Sequence, residues 1–192
     1  MIIGITGGIG SGKSTIARAL AARGYAVYDC DREAKRIIAE NKDVQQQIIA
    51  LLGPEAFVNG VYNTAYVAQR VFREPELLER LNQIVHPAVK EDILKKQPDF
   101  VESAILYEAG LDAICDKIFV IEAPEDIRIA RTIARDYHVD ASPENIDKVR
   151  ARIRAQQSSS PLHGGTERGF ILINDGRKSI EELAEEIIAL LH

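Results

Sequence analysis

The sequence predicts an α/β fold built on a doubly wound, five-stranded parallel sheet. Five short runs of apolar and β-branched residues alternate with segments in which apolar residues recur at helical spacing. The runs are almost continuously apolar, which is typical of parallel strands that helices cover on both faces. A chain of 192 residues with 46% hydrophobic and 28% charged residues can bury one full core, so we expect a single domain with insertions.

A glycine-rich loop follows the first predicted strand, residues 1–6, and precedes a predicted helix over 14–23. It matches the pattern G-x-x-x-x-G-K-[ST] from Gly7 to Ser14. In such a loop the backbone N–H groups surround phosphate oxygens, the lysine contacts the β- and γ-phosphates, and the hydroxyl coordinates Mg²⁺. We therefore expect a P-loop NTPase or kinase-like core. The expected nucleotide-binding residues are Gly8, Ile9, Gly10, Ser11, Gly12, Lys13, Ser14 and Thr15.

The remaining elements follow in chain order. The other strands are predicted over residues 25–28, 100–106, 117–121 and 170–173. The other helices are predicted over 32–40, 44–52, 64–73, 124–137 and 143–157, with one beginning at Pro75 and one at Ser179. The pair His86-Pro87 is expected to interrupt the helix that begins at Pro75, with His86 packing at the kink. Residues 32–97, which lack strand signals, form a helical insertion, and residues 136–169 form a second insertion.

Composition excludes several classes of protein. A net charge of −5 argues against a general nucleic-acid or anionic-membrane binder. Two cysteines, Cys30 and Cys115, are too few for a disulfide framework. The first apolar run is too short for a signal peptide, and no other run approaches the length of a membrane span. We expect a cytoplasmic protein with no nucleic-acid or membrane partner.

Polar residues follow the predicted strands, at the sheet edge where α/β proteins bind ligands. Asp29 and Asp31 come after the second strand, and phosphoryl transfer needs a carboxylate to orient or deprotonate the attacking hydroxyl. Asp31, at the start of the helical insertion, is the better candidate for this base. A helix-capping role stays open for both residues. The other strand-end candidates are Glu108, Glu122, Asn174 and Asp175.

Glu102 and a row of arginines are further candidates. Glu102 falls inside the predicted third strand, where an isolated carboxylate is costly unless it has a partner. The Mg²⁺ shell and a buried arginine pair are both open as explanations. Arg128, Arg131 and Arg135 recur at i, i+3 and i+7 on one side of a helix. Arginines commonly stabilise a transferred phosphoryl group, and a solvated helix face is the alternative for this row.

Taken in order, these segments resemble the dephospho-coenzyme A kinase family over nearly the whole chain. The matching pieces are residues 5–14, 29–31, 86–87, 105–108, 131–136 and 152–156, and Asn174. The P-loop fits many families, so the order and spacing of the later pieces make the resemblance specific. One departure is Glu102, which stands where the family usually has aspartate.

The resemblance implies a P-loop kinase core over residues 1–31, 98–135 and 170–192, a helical substrate-binding insertion over 32–97 and an arginine-bearing lid over 136–169. It implies transfer of the γ-phosphoryl group of ATP to the ribose 3′-hydroxyl of dephospho-coenzyme A, the last step of coenzyme A synthesis. ATP and Mg²⁺ are the expected cofactors, and we expect a monomer or a small homo-oligomer.

The resemblance also implies residue roles. The expected catalytic residues are Asp31, Lys13, Arg131 and Arg135, and the expected acceptor-binding residues are Asp31, His86, Leu106 and Glu108. Asn174 is expected to bind the nucleotide, and Ser14 and Glu102 are expected at the metal. Two alternatives remain. A nucleotide or small-metabolite kinase of the same fold shares the P-loop, and a GTPase-type switch requires a guanine-binding motif that the sequence lacks.

Overall fold

The computed structural model describes residues 1–159 and 169–191, and the chain divides into two compact units. The core unit comprises Met1–Tyr28 and the chain from Pro98 onward, and the helical unit comprises Asp29–Gln97. Within the described residues, no helix is both long and apolar enough to cross a membrane. The lid over residues 136–169 stays a prediction, and residues 160–168 of it lie outside the described part of the chain.

Short strands and helices follow one another along the chain. The described strands are β1 (Ile3–Thr6), β2 (Val27–Asp29), β3 (Phe57–Val58), β4 (Val61–Tyr62), β5 (Phe100–Glu102), β6 (Lys117–Glu122) and β7 (Gly169–Ile173). The described helices are α1 (Lys13–Ala22), α2 (Cys30–Glu40), α3 (Lys42–Leu52), α4 (Thr64–Arg73), α5 (Pro75–Lys96), α6 (Glu125–Asp136), α7 (Pro143–Ser159) and α8 (Ile180–Ala189).

The main sheet has the strand order β2-β5-β1-β6-β7. Strand β1 lies at its centre and pairs in parallel with β5 and β6, and β6 pairs in parallel with β7. In this register Ile5 lies opposite Glu102, and Thr6 lies opposite Val120. The glycine loop therefore leaves the sheet beside Glu102, at the edge where parallel sheets bind ligands.

Two apolar clusters hold the core unit together. The larger one packs α1 and α8 against the sheet through residues such as Ile5, Ile16 and Ile187, all fully buried. The smaller one joins α6 to α7 through Ile129, Ile133, Val149 and Ile153. Burial of such side chains stabilises the fold by about 1.5–3 kcal/mol each. This packing fixes α7 to α6 as far as the helical turn that contains Gln156.

The predicted third strand ends earlier than expected. Strand β5 stops at Glu102, and turns follow to Gly110 instead of a strand to residue 106. The Ser103 hydroxyl accepts a hydrogen bond from the Ile105 N–H at 3.2 Å, and this local bond competes with strand pairing. Glu102 belongs to this strand as expected, but it is the last strand residue, at the ligand-binding edge, and not an interior one.

Helix α5 runs without interruption from Pro75 to Lys96, so the expected break at His86-Pro87 was wrong. Its buried residues Leu81, Val85, Val89 and Ile93 recur every four positions on both sides of the proline. Pro87 has no backbone N–H, so the helix loses one hydrogen bond there. The buried stripe stays packed along one face of the helix, and the stability from this packing outweighs that loss.

A small hairpin, β3 and β4, also lies where only helices were expected. Its turn is formed by Asn59 and Gly60, whose φ angles are 52° and 80°. Two consecutive positive φ angles are typical of the type I′ turn that Asn-Gly favours.

A network of charged side chains joins α2 to α5 within the helical unit. Glu33, only 8% exposed, accepts hydrogen bonds from Arg36 Nε at 2.8 Å and from Lys96 Nζ at 2.6 Å. Arg36 also donates to Asp92 at 2.7 Å. The bonds from Lys96 and Arg36 lower the pKa of Glu33 to about 2. The network anchors the helix whose first turn contains Asp31.

Replacing Glu33 with glutamine is expected to lower the free energy of unfolding at pH 7 by about 1.5–3 kcal/mol, because the amide cannot match the charges of Arg36 and Lys96. The folded pKa of about 2 lies below the ordinary 4.5. The stabilisation by Glu33 is therefore complete above about pH 4.5 and is lost as the pH falls toward 2. Urea unfolding at pH 7 and pH 3, followed by circular dichroism, measures the difference, which should shrink at pH 3.

The matched control is Glu91→Gln, at an exposed pair with Lys95 on α5. It should change the free energy of unfolding by less than about 0.5 kcal/mol. Equal losses for the two variants at pH 7 would contradict a structural role for the buried network.

Candidate active site

The glycine loop connects β1 to α1 in a conformation that only glycine adopts easily. Gly12 caps the start of α1 with φ 93° and ψ 8°, and Gly10 has φ 76°. A Cβ atom at Gly12 would collide with the Asn174 amide, and one at Gly10 would collide with the Arg128 carbonyl. The first N–H groups of a helix have no partner within the helix, and a helix N-terminus favours anions. The loop and the start of α1 therefore form an anion-binding turn.

Lys13, Ser14 and Glu102 meet at the end of this loop. The Lys13 ammonium lies 3.6 Å from Glu102 Oε1, and the Ser14 hydroxyl donates to the same oxygen at 3.1 Å. Glu102 is only 6% exposed, so these two contacts offset the cost of burying its charge. The structure thus brings together a cation, a hydroxyl and a carboxylate that sequence reasoning had assigned to phosphate and metal.

The donor set at Ser14 and Glu102 fits Mg²⁺ in the presence of a nucleotide. Mg²⁺ prefers oxygen ligands and is commonly held by one or two protein groups, with phosphates and water completing its shell. The described residues contain no cluster of three or more His, Cys, Asp or Glu side chains that could hold a metal by themselves. A hydroxyl and a carboxylate beside a phosphate-binding loop match a metal that arrives with the triphosphate.

Arg131 and Asn174 hold the middle of the loop. Arg131 donates to the Ser11 carbonyl at 3.3 Å and to the Asn174 side-chain oxygen at 3.0 Å. The Asn174 side chain, 2% exposed, donates to the same Ser11 carbonyl at 2.8 Å. The Asn174 N–H donates to the carbonyl of Glu122 at 2.7 Å. Side chains from α6 and from the end of β7 thereby fix the loop to the sheet edge.

A cavity of 490 Å³ opens beside the loop, and we call it the loop cavity. Its lining residues are Gly10, Gly12, Lys13, Ser14, Thr15, Arg18, Arg131, Thr132, Arg135, Asn174 and Ile180. Four of them are cationic, and within the described part of the chain none is acidic. A cationic cavity of this size is suited to a polyanion. Of the predicted nucleotide-binding residues, Gly8, Ile9 and Ser11 lie outside this lining.

Comparison with known proteins identifies the family. A family model described as dephospho-CoA kinase matches residues 1–177. The chain belongs to the dephospho-CoA kinase family. A relative named dephospho-CoA kinase, from Bacteroides fragilis, is 37% identical over 198 aligned residues, which cover 99% of this chain and 92% of the relative. The family resemblance inferred from the ordered segments is confirmed.

Solved structures support the fold expected of a dephospho-CoA kinase. A crystal structure of a Thermus thermophilus protein has a TM-score of 0.75 and 32% identity, and the match covers 100% of this chain and 96% of that one. Shikimate kinase from Acinetobacter baumannii, solved in complex with shikimate, has a TM-score of 0.56 at 18% identity, with 99% and 92% covered. At this low identity, the similarity to shikimate kinase shows a shared fold and nothing more. The predicted P-loop kinase fold with five parallel strands is confirmed.

In this dephospho-CoA kinase family member, Arg128 and Gln156 bind the two backbone polar groups of one residue of the glycine loop, Ile9. Arg128 Nε donates to the Ile9 carbonyl at 2.8 Å, and Gln156 Oε1 accepts from the Ile9 N–H at 2.7 Å. Gln156 also donates to the Ala104 carbonyl at 3.3 Å. From the sequence, no role was assigned to Gln156. The signal in the sequence that could have pointed to it is its place at the end of segment 152–156, which resembles the family.

Arg135 differs from its neighbours in the row. Its side chain is 62% exposed and binds Asp136 through two hydrogen bonds, at 2.6 and 3.2 Å. Arg152 binds the same carboxylate at 2.7 Å. The bonds from Arg135 and Arg152 lower the pKa of Asp136 to about 2. Arg135 therefore lines the loop cavity while its charge is shared with Asp136.

The residues predicted to bind the acceptor lie in different environments. In the helical unit, Asp29 caps α2 by accepting from the Arg32 N–H at 3.0 Å, and Asp31 is exposed in the first turn. The capping alternative thus holds for Asp29. His86 is half-buried in α5, and burial lowers its pKa.

Two further acceptor candidates belong to the core unit. Leu106 is fully buried and packs over Gly4, where a Cβ atom would lie 2.9 Å from its Cδ1. Glu108 is exposed in the turns after β5. The core unit therefore brings together the phosphate and metal candidates, while contact of Asp31, His86, Leu106 and Glu108 with an acceptor stays a prediction.

Proposed function

We propose that this protein transfers the γ-phosphoryl group of ATP to the ribose 3′-hydroxyl of dephospho-CoA. The family match over residues 1–177 carries the proposal, because the glycine loop by itself indicates a nucleotide and leaves the acceptor open. The cationic loop cavity supports the part of the proposal that concerns ATP binding. Cytoplasmic location, absence of a nucleic-acid partner and a monomeric or small homo-oligomeric state stay predictions.

The nucleotide is held by the glycine loop in this proposal. Loop N–H groups and Lys13 bind the β- and γ-phosphates, where the cation stabilises charge in both the bound state and the transition state. Ser14 and Glu102 would hold Mg²⁺, which when bound would neutralise charge on the phosphate oxygens. Asn174 and Arg131 keep the Ser11 carbonyl turned away from the phosphates, since both donate to it.

Asp31 is the proposed base. Its carboxylate accepts the proton of the 3′-hydroxyl while the hydroxyl oxygen bonds to the γ-phosphorus and the bond from that phosphorus to ADP breaks. The exposure of Asp31 in the first turn of α2 leaves its oxygens available for this transfer. His86, Leu106 and Glu108 are proposed to bind the rest of the acceptor.

Arg131 and Arg135 have separate proposed roles. Arg131 is bonded to the loop and adds fixed positive charge to the loop cavity. Arg135 exchanges its bonds with Asp136 for phosphate oxygens when the predicted lid over 136–169 closes, and closure excludes water from the reacting phosphate. An exposed ion pair contributes little stability, so this exchange costs little.

The activity is tested by measuring ADP release with four acceptors in the presence of ATP and Mg²⁺. Dephospho-CoA should give turnover at least about 100-fold above AMP and shikimate, because binding energy from the whole acceptor positions one hydroxyl for attack. CoA is the matched control, since its 3′-position already carries the phosphate and it should give no turnover. The product should be CoA by mass and by retention time.

Faster turnover of AMP or shikimate would contradict the proposal. Chelation of the metal should abolish ADP release, and added Mg²⁺ should restore it. Full activity in the presence of a chelator would remove Mg²⁺ from the proposed site.

A further inference from the structure

Arg128 is a buried cation that has no counter-ion among the residues that the structure describes. Its side chain lies at the start of α6, and the residue is only 7% exposed. Nε donates to the Ile9 carbonyl, a neutral group, at 2.8 Å. Nη2 is buried and has no hydrogen-bond partner among the described residues. Within that part of the chain, no carboxylate forms an ion pair with Arg128, although seventeen other ion pairs are present.

This arrangement is energetically unfavourable for a free protein. A buried charge that lacks a paired opposite charge costs free energy, and replacement by a neutral side chain often stabilises the fold. Glu125 and Glu122 act on Arg128 only from a distance, and Glu125 is already paired with Arg150 at 3.4 Å. Burial lowers the pKa of Arg128, but a guanidinium stays charged at neutral pH. An uncompensated positive charge therefore persists at this position.

The charge lies directly behind the tip of the glycine loop. A Cβ atom at Gly8 would collide with Arg128 Nη2 and would lie 2.9 Å from Cζ. Gly10 packs against the Arg128 carbonyl. The guanidinium is thus in contact with Gly8 and Ile9, which do not line the loop cavity, next to Gly10, which does. Because Arg128 is only 7% exposed, an anion in the loop cavity would feel its charge with weaker screening than that of a fully solvated cation.

We infer that Arg128 is a fixed cation whose counter-ion is the polyphosphate of the bound nucleotide. It is a positioning residue that acts through its field and through the Ile9 carbonyl, without touching the phosphates. The inference rests on the proposed function, because it requires a nucleotide in the glycine loop. It explains why a costly buried charge has no partner within the described part of the chain: the ligand supplies the partner.

Two variants test the charge while a hydrogen-bond donor is kept. Arg128→Gln removes the charge and keeps an N–H donor for the Ile9 carbonyl, whereas Arg128→Lys keeps both the charge and an N–H donor. We expect Arg128→Gln to raise the Kd for ATP about 10-fold or more and the Kd for ADP by a smaller factor, because the field acts on each phosphate charge. Arg128→Lys should retain most of the affinity and the preference for ATP over ADP. Calorimetric titration of each protein with ATP and with ADP measures these values.

Thermal unfolding gives an independent readout. The free Arg128→Gln protein should unfold at the same temperature as the wild type or higher, while its stabilisation by saturating ATP should be smaller. The matched control is Arg23→Gln, an arginine at the end of α1 that pairs with Glu185 at 3.3 Å. It should leave both Kd values unchanged.

Several results would overturn the inference. Normal ATP affinity in Arg128→Gln together with weak binding in Arg128→Lys would show that the charge at this position does not matter. Equal loss for ATP and ADP would indicate distortion of the loop, and so would failure of Arg128→Gln to fold. If the wild type neither binds ATP nor phosphorylates dephospho-CoA, the proposed function fails. If the wild type is active and Arg128→Gln binds ATP normally, only the inference about Arg128 fails.

Discussion

Replacing Lys13 with methionine should lower kcat/KM for ATP by about 10²–10³-fold, with loss in both the affinity and the rate. The ammonium is the cation nearest the Ser14–Glu102 pair and lines the loop cavity. Methionine keeps most of the side-chain volume and removes the charge. Because that charge bears on the bound triphosphate and on the transition state, the Kd for ATP should rise and kcat should fall. Steady-state kinetics and calorimetric titration separate the two effects.

The same substitution removes the ammonium that lies 3.6 Å from Glu102, so a second variant is needed to interpret it. Lys13→Met combined with Glu102→Gln also removes the buried carboxylate charge and should recover stability without recovering activity. Lys178→Met is the matched control, since that lysine pairs with Glu186 and is 54% exposed. Wild-type kinetics for Lys13→Met would remove Lys13 from the nucleotide site.

Asp31→Asn should reduce kcat by about 10²–10⁴-fold while leaving the affinity for ATP within a few-fold. The amide has nearly the shape of the carboxylate but cannot accept the proton of the attacking hydroxyl. Asp31 lies in the first turn of α2 and is exposed, so the fold does not depend on its charge. Single-turnover phosphorylation of dephospho-CoA, with ATP binding measured separately, tests this expectation.

Asp29→Asn provides the matched control two residues away. Asp29 caps α2 through its side-chain oxygen, and asparagine caps a helix about as well. Its kcat should therefore stay near the wild-type value. The opposite pattern, with Asp29→Asn inactive and Asp31→Asn active, would transfer the proposed role to Asp29.

The loop, the sheet and the family could be predicted from the sequence because their signals are local. The pattern from Gly7 to Ser14 requires glycines at particular positions, and the φ angles of Gly10 and Gly12 show that requirement. Each apolar run predicted a strand of the sheet, although the bounds moved by a few residues. The predicted contact of Ser14 and Glu102 with Mg²⁺ is still to be tested.

The row of three arginines shows what helical spacing leaves open. Arg128, Arg131 and Arg135 recur on one side of α6, yet one is buried behind the loop, one bonds the Ser11 carbonyl, and one is exposed beside Asp136. Spacing along a helix specifies a face, whereas the neighbours of that face come from distant parts of the chain. Similarly, the spacing in the sequence did not distinguish a helix interrupted at Pro87 from the continuous helix that packing maintains.

By itself, the sequence determined the α/β fold, the phosphate-binding loop and the family, because strand runs and glycine positions act over a few residues. Only the tertiary structure decided that Glu102 ends its strand beside Lys13 and Ser14. It also decided that Gln156 binds the N–H of Ile9 and Arg128 binds its carbonyl. These contacts join residues more than 80 positions apart. They depend on how the sheet, α6 and α7 pack together, and no local pattern encodes that packing.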